Sequence, residues 1–338
     1  MRRPPLLIAA LLLGGCSGEQ SALDPAGVHS GAVLNLFGLF FWVCLIAFAL
    51  VIGFLVIAML QARRVDAARS ERSEHDAKAA LMLRGWIVFI VVGLLVLTLG
   101  SYFTDRNLAL AAPDTGQSNR VPIRIKLTGQ QWWWQVEYED PNASQQIRTA
   151  NELHLPIGVP VHIRLESIDV IHSFWVPNLA GKQDMIPGRH NDIELLPTRA
   201  GHYRSQCAEF CGLQHAHMAL DVVIEPMADW LKWRAQSLQP AKAPATAEEK
   251  AGYAYFMEHQ CSACHSIAGT PAFGTVGPDL THFASRPSIG AGTVPNTRGH
   301  LEAWIADPQG MKEGNHMPYL AVPPDKLHAL GAYLRSLS

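Results

Sequence analysis

Cys207-Ala-Glu-Phe-Cys211-Gly-Leu-Gln-His215-Ala-His-Met218 gathers two thiols, two imidazoles and a thioether within one loop's length. That is a soft-metal site. His172, in Val170-Ile-His-Ser-Phe-Trp175, completes it if the intervening strands fold back, giving a Cys, Cys, His, His, Met donor set. Zinc needs only two Cys and two His in a closed tetrahedron, which leaves Met218 without a role. A thioether points instead to copper. One blue-copper ion takes a single Cys, two His and a weak axial Met, so the second thiolate exceeds its needs; two bridging thiolates can hold two coppers.

Outward from this loop the chain reads as short strands. Val121, Ile123, Ile125 and Leu127 alternate at period two. Similar runs follow at Glu152–Leu155, Val161–Leu165, Asp192–Leu196, His202–Gln206 and Ala219–Ile224, punctuated by Pro156, Gly158, Pro160, Pro187, Gly188 and Gly201. The pattern predicts an all-β sandwich or barrel of Greek-key type, with the ligand-rich loop between its last two strands. In Trp132-Trp133-Trp134, alternation sends Trp132 and Trp134 to one face and Trp133 to the other, so at least one is core and one exposed or at an interface.

The loop follows C-x-E-x-C-x3-H-x2-M and resembles the dinuclear copper centre, CuA, in subunit II of haem–copper cytochrome c oxidases. The resemblance extends through Asp169-Val-Ile-His172-Ser-Phe-Trp-Val-Pro177, Ile186-Pro-Gly-Arg189 and Gln131–Tyr138. It implies a cupredoxin fold, side-chain ligands at His172, Cys207, Cys211, His215 and Met218, and a backbone carbonyl ligand at Glu209. It also implies that the Glu209 carboxylate faces subunit I and binds a redox-silent Mg²⁺, and that electrons enter the copper near Trp132. A Cys207–Cys211 disulfide and a zinc site are the competing readings. His217 matches no ligand position, and His154, His162, His190 and His202 read as surface or packing residues.

A second module follows. Trp230–Ser237 reads as a short helix, and Gln239-Pro-Ala-Lys-Ala-Pro-Ala-Thr-Ala as an extended Pro/Ala linker, within a connecting segment set at 227–245. Thr246-Ala-Glu-Glu249 is a capping box opening a helix to about Glu258. Then comes Cys261-Ser-Ala-Cys264-His265, the C-x-x-C-H signature of c-type haem attachment, whose bland alternative is a redox dithiol. Gly277-Pro-Asp-Leu280, a helical Arg298–Ala306, Gly314-Asn-His-Met317-Pro-Tyr-Leu320 and an amphipathic last helix complete an order that resembles class I cytochrome c over Thr246–Ser338. Met317 is the best match for the sixth iron ligand; Met311 is weaker, and His316 and His300 weaker still.

Upstream of the sandwich the sequence turns apolar. Of 338 residues, 49% are hydrophobic and only 17% charged, which implies membrane segments. A net charge of −2 argues against a nucleic-acid partner. Residues 1–15 read as a secretory signal ending at Leu13-Gly14-Gly15-Cys16, which resembles a bacterial lipobox and implies a lipid anchor at Cys16; an ordinary signal peptide with an incidental Cys is the competing reading. Apolar runs at 33–60 and 86–103 predict a transmembrane hairpin within 16–106. Arg63, Arg64, Arg69, Arg72, Lys78 and Arg84 place its connection in the cytoplasm and both flanks outside. Cys44, inside the first run, reads as a small buried hydrophobe. The family's Glu about one turn before the tryptophan of the second helix, at the mouth of a proton path, is replaced here by Met82, Leu83 and Arg84.

The expected architecture is thus a two-helix transmembrane hairpin, an all-β cupredoxin over 107–226 and an all-α cytochrome c over 246–338. The resemblance implies a fused, caa-type subunit II in a bacterial inner membrane with its copper and haem domains on the outer face. Electrons would pass from a cytochrome c or bc complex through haem c to CuA and on to haem a of subunit I, where oxygen is reduced and protons are pumped, with subunit III and lipid as further partners. Rival functions are a CuA subunit of a nitrogen-oxide reductase and a non-catalytic copper-binding lipoprotein.

Overall fold

A computed structural model describes residues 17–62, 72–110 and 121–338. The signal and lipobox readings, including Cys16, and the loop arginines Arg63, Arg64 and Arg69 lie outside the described residues. The chain divides into two units, Gly31–Thr115 and the remainder.

The first unit consists of α1 (Val28–Ala62) and α2 (Arg72–Leu110), two helices long and apolar enough to cross a bilayer. Large apolar side chains such as Phe48, Phe54 and Val91 face outward all round, which suits hydrocarbon and not water. Both helices overrun the expected apolar runs at each end. An α-helix satisfies its backbone groups internally, so it continues into polar flanks where no breaker stops it. Cys44 is exposed on α1 rather than buried as expected. Gly100 of α2 lies where a Cβ would come within 2.6 Å of Leu39 Cδ2, so its lack of a side chain lets the helices approach.

In the second unit, the sandwich is built from β1 (Ile123–Gln130), β2 (Trp133–Glu139), β3 (Ile147–Ala150), β4 (Glu152–Pro156), β5 (Val161–Ser167), β6 (His172–Phe174), β7 (Gln183–Met185), β8 (Asn191–Leu195), β9 (Gly201–Gln206) and β10 (Ala219–Glu225). One sheet runs β3-β2-β1-β5-β8, a second β4-β10-β9, and β6 pairs β7. The predicted period-two face of β1 is the buried one: Ile125 and Leu127 pack with Leu153, Ile163 and Leu165 in one core. Ahead of α1, residues 18–24 are strapped to this core by Asn178, whose amide donates to the carbonyls of Gly18 (3.1 Å) and Asp24 (2.8 Å).

The connecting segment opens on the expected helix. Its first part is a helix, α3 (Met227–Ser237), longer than predicted and seated on the sandwich: the Trp230 indole donates to His154 O at 3.1 Å, and the Trp233 and His154 rings stack at 4.3 Å. Burial of these aromatic rings is what seats the helix on the sandwich. The haem-type module then comprises α4 (Ala247–Glu258), α5 (Cys261–Cys264), a small hairpin of β11 (Ser288–Ile289) and β12 (Val294–Pro295), α6 (Arg298–Ala306), α7 (Pro308–Met311) and α8 (Pro324–Ser336). The Thr246–Glu249 capping box is formed in both directions. At Gly252 the two long helices touch so closely that a Cβ would lie 2.0 Å from Ala329 O, which brings Phe256 against Tyr333 and Leu330.

Candidate copper and haem sites

Residues 207–218 join β9 to β10, whose register pairs Gln206 with Ala219 and so closes the loop at its base. Cys207 N donates to Met218 O at 3.0 Å, and Ala208 N donates to Ser173 O at 3.0 Å, drawing β6 and His172 against the loop. The donor atoms then form a chain of near-equal edges: His172 Nδ1 to Cys207 Sγ 3.8 Å, Cys207 Sγ to Cys211 Sγ 3.7 Å, Cys211 Sγ to His215 Nδ1 3.7 Å and Cys211 Sγ to Met218 Sδ 3.9 Å. Glu209 O lies 3.3 Å from Cys207 Sγ. Donors at about 2.3 Å from a tetrahedral ion sit about 3.7 Å apart, so these separations suit metal binding. At 3.7 Å the two sulfurs are not joined as a disulfide, in which they would be about 2.05 Å apart. Both thiols stand in the middle, with one imidazole beside each, and the set exceeds what one zinc uses.

The surround fixes how these donors point. His172 is fully buried, and its Nε2 meets Asp169 Oδ1 at 2.9 Å, which holds the proton there and turns the Nδ1 lone pair to the thiols. Asp169 Oδ2 also accepts from Gln131 N at 2.6 Å. Burial alone would raise the Asp169 carboxyl; the hydrogen bond from His172 and those from Gln131 and Val170 outweigh it and hold it down. The contact between the two sulfurs pulls the Cys207 thiol down and pushes Cys211 up. Cys207, Cys211 and Met218 are themselves members of the sandwich core. His217 turns aside to Gln214 Oε1 at 2.8 Å, in keeping with its lack of a ligand position.

The tryptophans divide as their alternation predicts. Trp134 is wholly buried behind His172, with ring centroids 6.3 Å apart, and Trp133 is half-buried. Trp132 is also buried, and its indole N–H donates to Cys211 O at 2.9 Å.

In the helical module one apolar cleft is lined by Cys261, Cys264, His265 and Met317, from opposite ends of the sequence segment. His265 Nδ1 donates to Pro278 O at 2.8 Å, which leaves Nε2 free to bind a metal, and burial pushes the imidazole below its ordinary value, toward the neutral form. At Gly277 a Cβ would fall 2.6 Å from the His265 ring. Across the cleft, the Trp304 indole donates to Met317 Sδ at 3.2 Å, and Met317 N donates to Asn315 Oδ1 at 2.8 Å. Met311 and His300 do not line the cleft, whereas His316 does. Two thiols, an imidazole and a thioether around an apolar slot fit a covalently attached haem.

Residues 141–226 match the periplasmic domain family of cytochrome c oxidase subunit II, and residues 249–338 match the cytochrome c family. Over 337 residues the chain is 33% identical to cytochrome c oxidase subunit 2 of Alkalihalophilus pseudofirmus, covering 98% of this chain and 96% of that one. The chain belongs to the cytochrome c oxidase subunit 2 family. It is also 30% identical over 266 residues to the cytochrome c oxidase subunit 2 of Bacillus sp. strain PS3, covering 75% of this chain and 73% of that one. The crystal structure of the periplasmic domain of subunit II of cytochrome oxidase from Bradyrhizobium japonicum aligns at 27% identity and a TM-score of 0.32, covering 34% of this chain and 92% of that one. Family membership brings copper to the sandwich and haem to the helical module.

In this oxidase subunit the two modules share buried polar contacts that no motif announces. Arg286 of the cytochrome module sends Nε to Glu152 Oε1 (3.3 Å) and Nη2 to Thr149 Oγ1 (3.2 Å), while Thr149 also donates to Glu152. Burial would raise the Glu152 carboxyl, but the hydrogen bond from His154 and the charge of Arg286 hold it down at about 2. Asp169, Trp304 and Arg286 were assigned no part from sequence. For Asp169 a signal existed, since it stands three residues before a ligand histidine; for the other two none did.

Proposed function

We propose that this chain is the electron-admitting subunit of a proton-pumping cytochrome c oxidase, passing electrons from an external donor through its own haem to a CuA pair and on to haem a of subunit I. His172, Cys207, Cys211, His215, Met218 and the Glu209 carbonyl would hold the copper; Cys261, Cys264, His265 and Met317 would hold the haem. When bound, the two groups supply the one-electron couples. What the chain itself supplies is rigidity and a short path. The observation that carries the reading is the position of Trp132: its indole is bonded to Cys211 O, and it lines the cleft that holds His265 and Met317. A buried aromatic ring shared by both sites is the element an electron relay requires.

The hairpin of α1 and α2 anchors the subunit in the bacterial inner membrane as a multi-pass protein, with both redox modules on the outer face and subunits I and III as neighbours. The half-exposed Glu209 carboxylate, beside the exposed Phe210, is the candidate Mg²⁺ ligand toward subunit I. The oxygen-reducing site lies in that other subunit. The reading is tested by purifying the membrane complex and injecting single electrons into the haem. In Trp132→Phe, transfer to copper should slow by about tenfold or more with both spectra intact; an unchanged rate would remove Trp132 from the route. Reduction of nitrogen oxides without oxygen consumption would instead assign the complex to the reductase class. A single ordinary Cu(II) EPR signal, in place of one electron shared by two coppers, would favour a metal carrier.

A further inference from the structure

Lys312 follows α7 in the cytochrome module and is 3% exposed. Its ammonium reaches out of its own module and donates to Trp132 O at 2.8 Å and His217 O at 2.7 Å on the copper side, and to Gly290 O at 2.6 Å on its own. Three acceptors match the three N–H bonds of an ammonium, and among the described residues no carboxylate pairs with it. A lysine that served only to attract a partner would stand at the surface opposite an acid, where salt screens it. This one is spent on carbonyls in the interior.

The surrounding contacts are built to the same end. Gly290, Ala291 and Gly292 all have positive φ (65°, 61° and 76°), a conformation that costs Ala291 backbone energy. The turn they make presents Ala291 O to Ala219 N, the first residue of β10, at 2.9 Å. At Gly292 a Cβ would stand 2.9 Å from Ala219 Cβ, so only glycine permits the approach. Two residues beyond Lys312, Gly314 lies under the Trp132 ring, where a Cβ would be 3.4 Å from it, and Gln214 donates to Glu313 O at 2.8 Å. Trp132 is therefore gripped at its carbonyl by Lys312, at its indole N–H by Cys211 O and on its ring by Gly314.

We propose that Lys312 is a positioning residue that locks the haem module onto the copper loop in one permanent pose, so that electron passage between them depends on a fixed seat and not on a tethered search. The proposal rests on the relay reading above and deepens it. It acts through Trp132; Lys312 itself carries no electron and need exchange no proton. A neutral side chain of similar length, as in Lys312→Met, removes all three bonds and leaves every candidate ligand in place.

The test uses the full membrane complex. In Lys312→Met the haem and copper spectra are expected to persist, while amide hydrogen exchange at Ala219 and across 290–292 accelerates by about tenfold or more, since the loss of even one of the three hydrogen bonds suffices for that. Transfer from haem to copper after single-electron injection should slow by about as much. Wild-type transfer should be insensitive to ionic strength. Exchange and transfer both within about twofold of wild type would overturn the clamp. Trp132→Phe in the same assay separates the two ideas: an unchanged rate there with faster exchange in Lys312→Met rejects the route and keeps the clamp. If Lys312→Met loses either spectrum, Lys312→Gln, which keeps an N–H donor, is measured instead. Loss in both variants makes Lys312 a folding residue and rejects the proposal.

Discussion

The copper loop and the haem cleft both collect two cysteines, a histidine and a methionine, yet the chain prepares them in opposite ways. The copper donors sit on strand ends and a loop closed at its base, three of them in the hydrophobic core, with separations already near those of a bound ion. The haem cysteines sit on the four-residue helix α5, half-buried, and the opposite ligand arrives from a loop more than fifty residues later. A β-sandwich can hold a cage before any metal enters. A small helical module has less core to spend, and a large covalent cofactor completes it.

Removing one sulfur from each site should expose the contrast most strongly. Cys211→Ser takes away one of the two thiols that would hold the copper pair, so the shared-electron EPR signal should vanish and turnover fall by more than the roughly 100-fold that even an outer partner can cost. In Cys264→Ser the remaining thioether to Cys261 should keep haem on the chain through denaturing gel electrophoresis; equal loss at both sites would erase the distinction. Next in size, Met317→Ala should leave the haem attached but change its optical spectrum and lower its potential by on the order of 100 mV. An unaltered spectrum would move the sixth ligand elsewhere, with His316 the first alternative in the cleft.

The preset nature of the copper cage is sharpened by Asp169→Asn, which keeps the shape but removes the charge facing His172. Copper affinity, measured by competition with a chelator, should fall about 10- to 100-fold. No loss would mean that strand geometry alone aims the imidazole. A last test concerns the seam between the modules. Glu152, held at about 2 against an unfolded value of 4.5, contributes stability that is complete above pH 4.5 and is lost as pH falls toward 2. That shift corresponds to about 3 kcal/mol. Glu152→Gln should flatten acid unfolding, followed by circular dichroism, over that window; an unchanged acid limb would show that the seam carries no linkage.

Much of this was legible in the chain. Loop ligands lie within twelve residues, C-x-x-C-H is contiguous, and alternation in β1 and β2 sorts Ile125, Leu127 and Trp134 inward, because local spacing and period two fix which side chains share a face. The helix at 230–237 was legible but its seat was not: the burial of Trp230 and Trp233 against His154 depends on a strand some eighty residues upstream. The extra length of α1 and α2 escaped for a related reason, since hydropathy marks the apolar span and not the helix.

Sequence by itself determined the metal chemistries, the sandwich, the helical module and the apolar hairpin, all properties of neighbours along the chain. Tertiary structure alone decided that Trp304 would bond Met317, that Arg286 would meet Glu152 and that Lys312 would close on Trp132 from 180 positions away. A buried donor takes whatever acceptor folding brings within about 3 Å, and no local pattern encodes which one that will be.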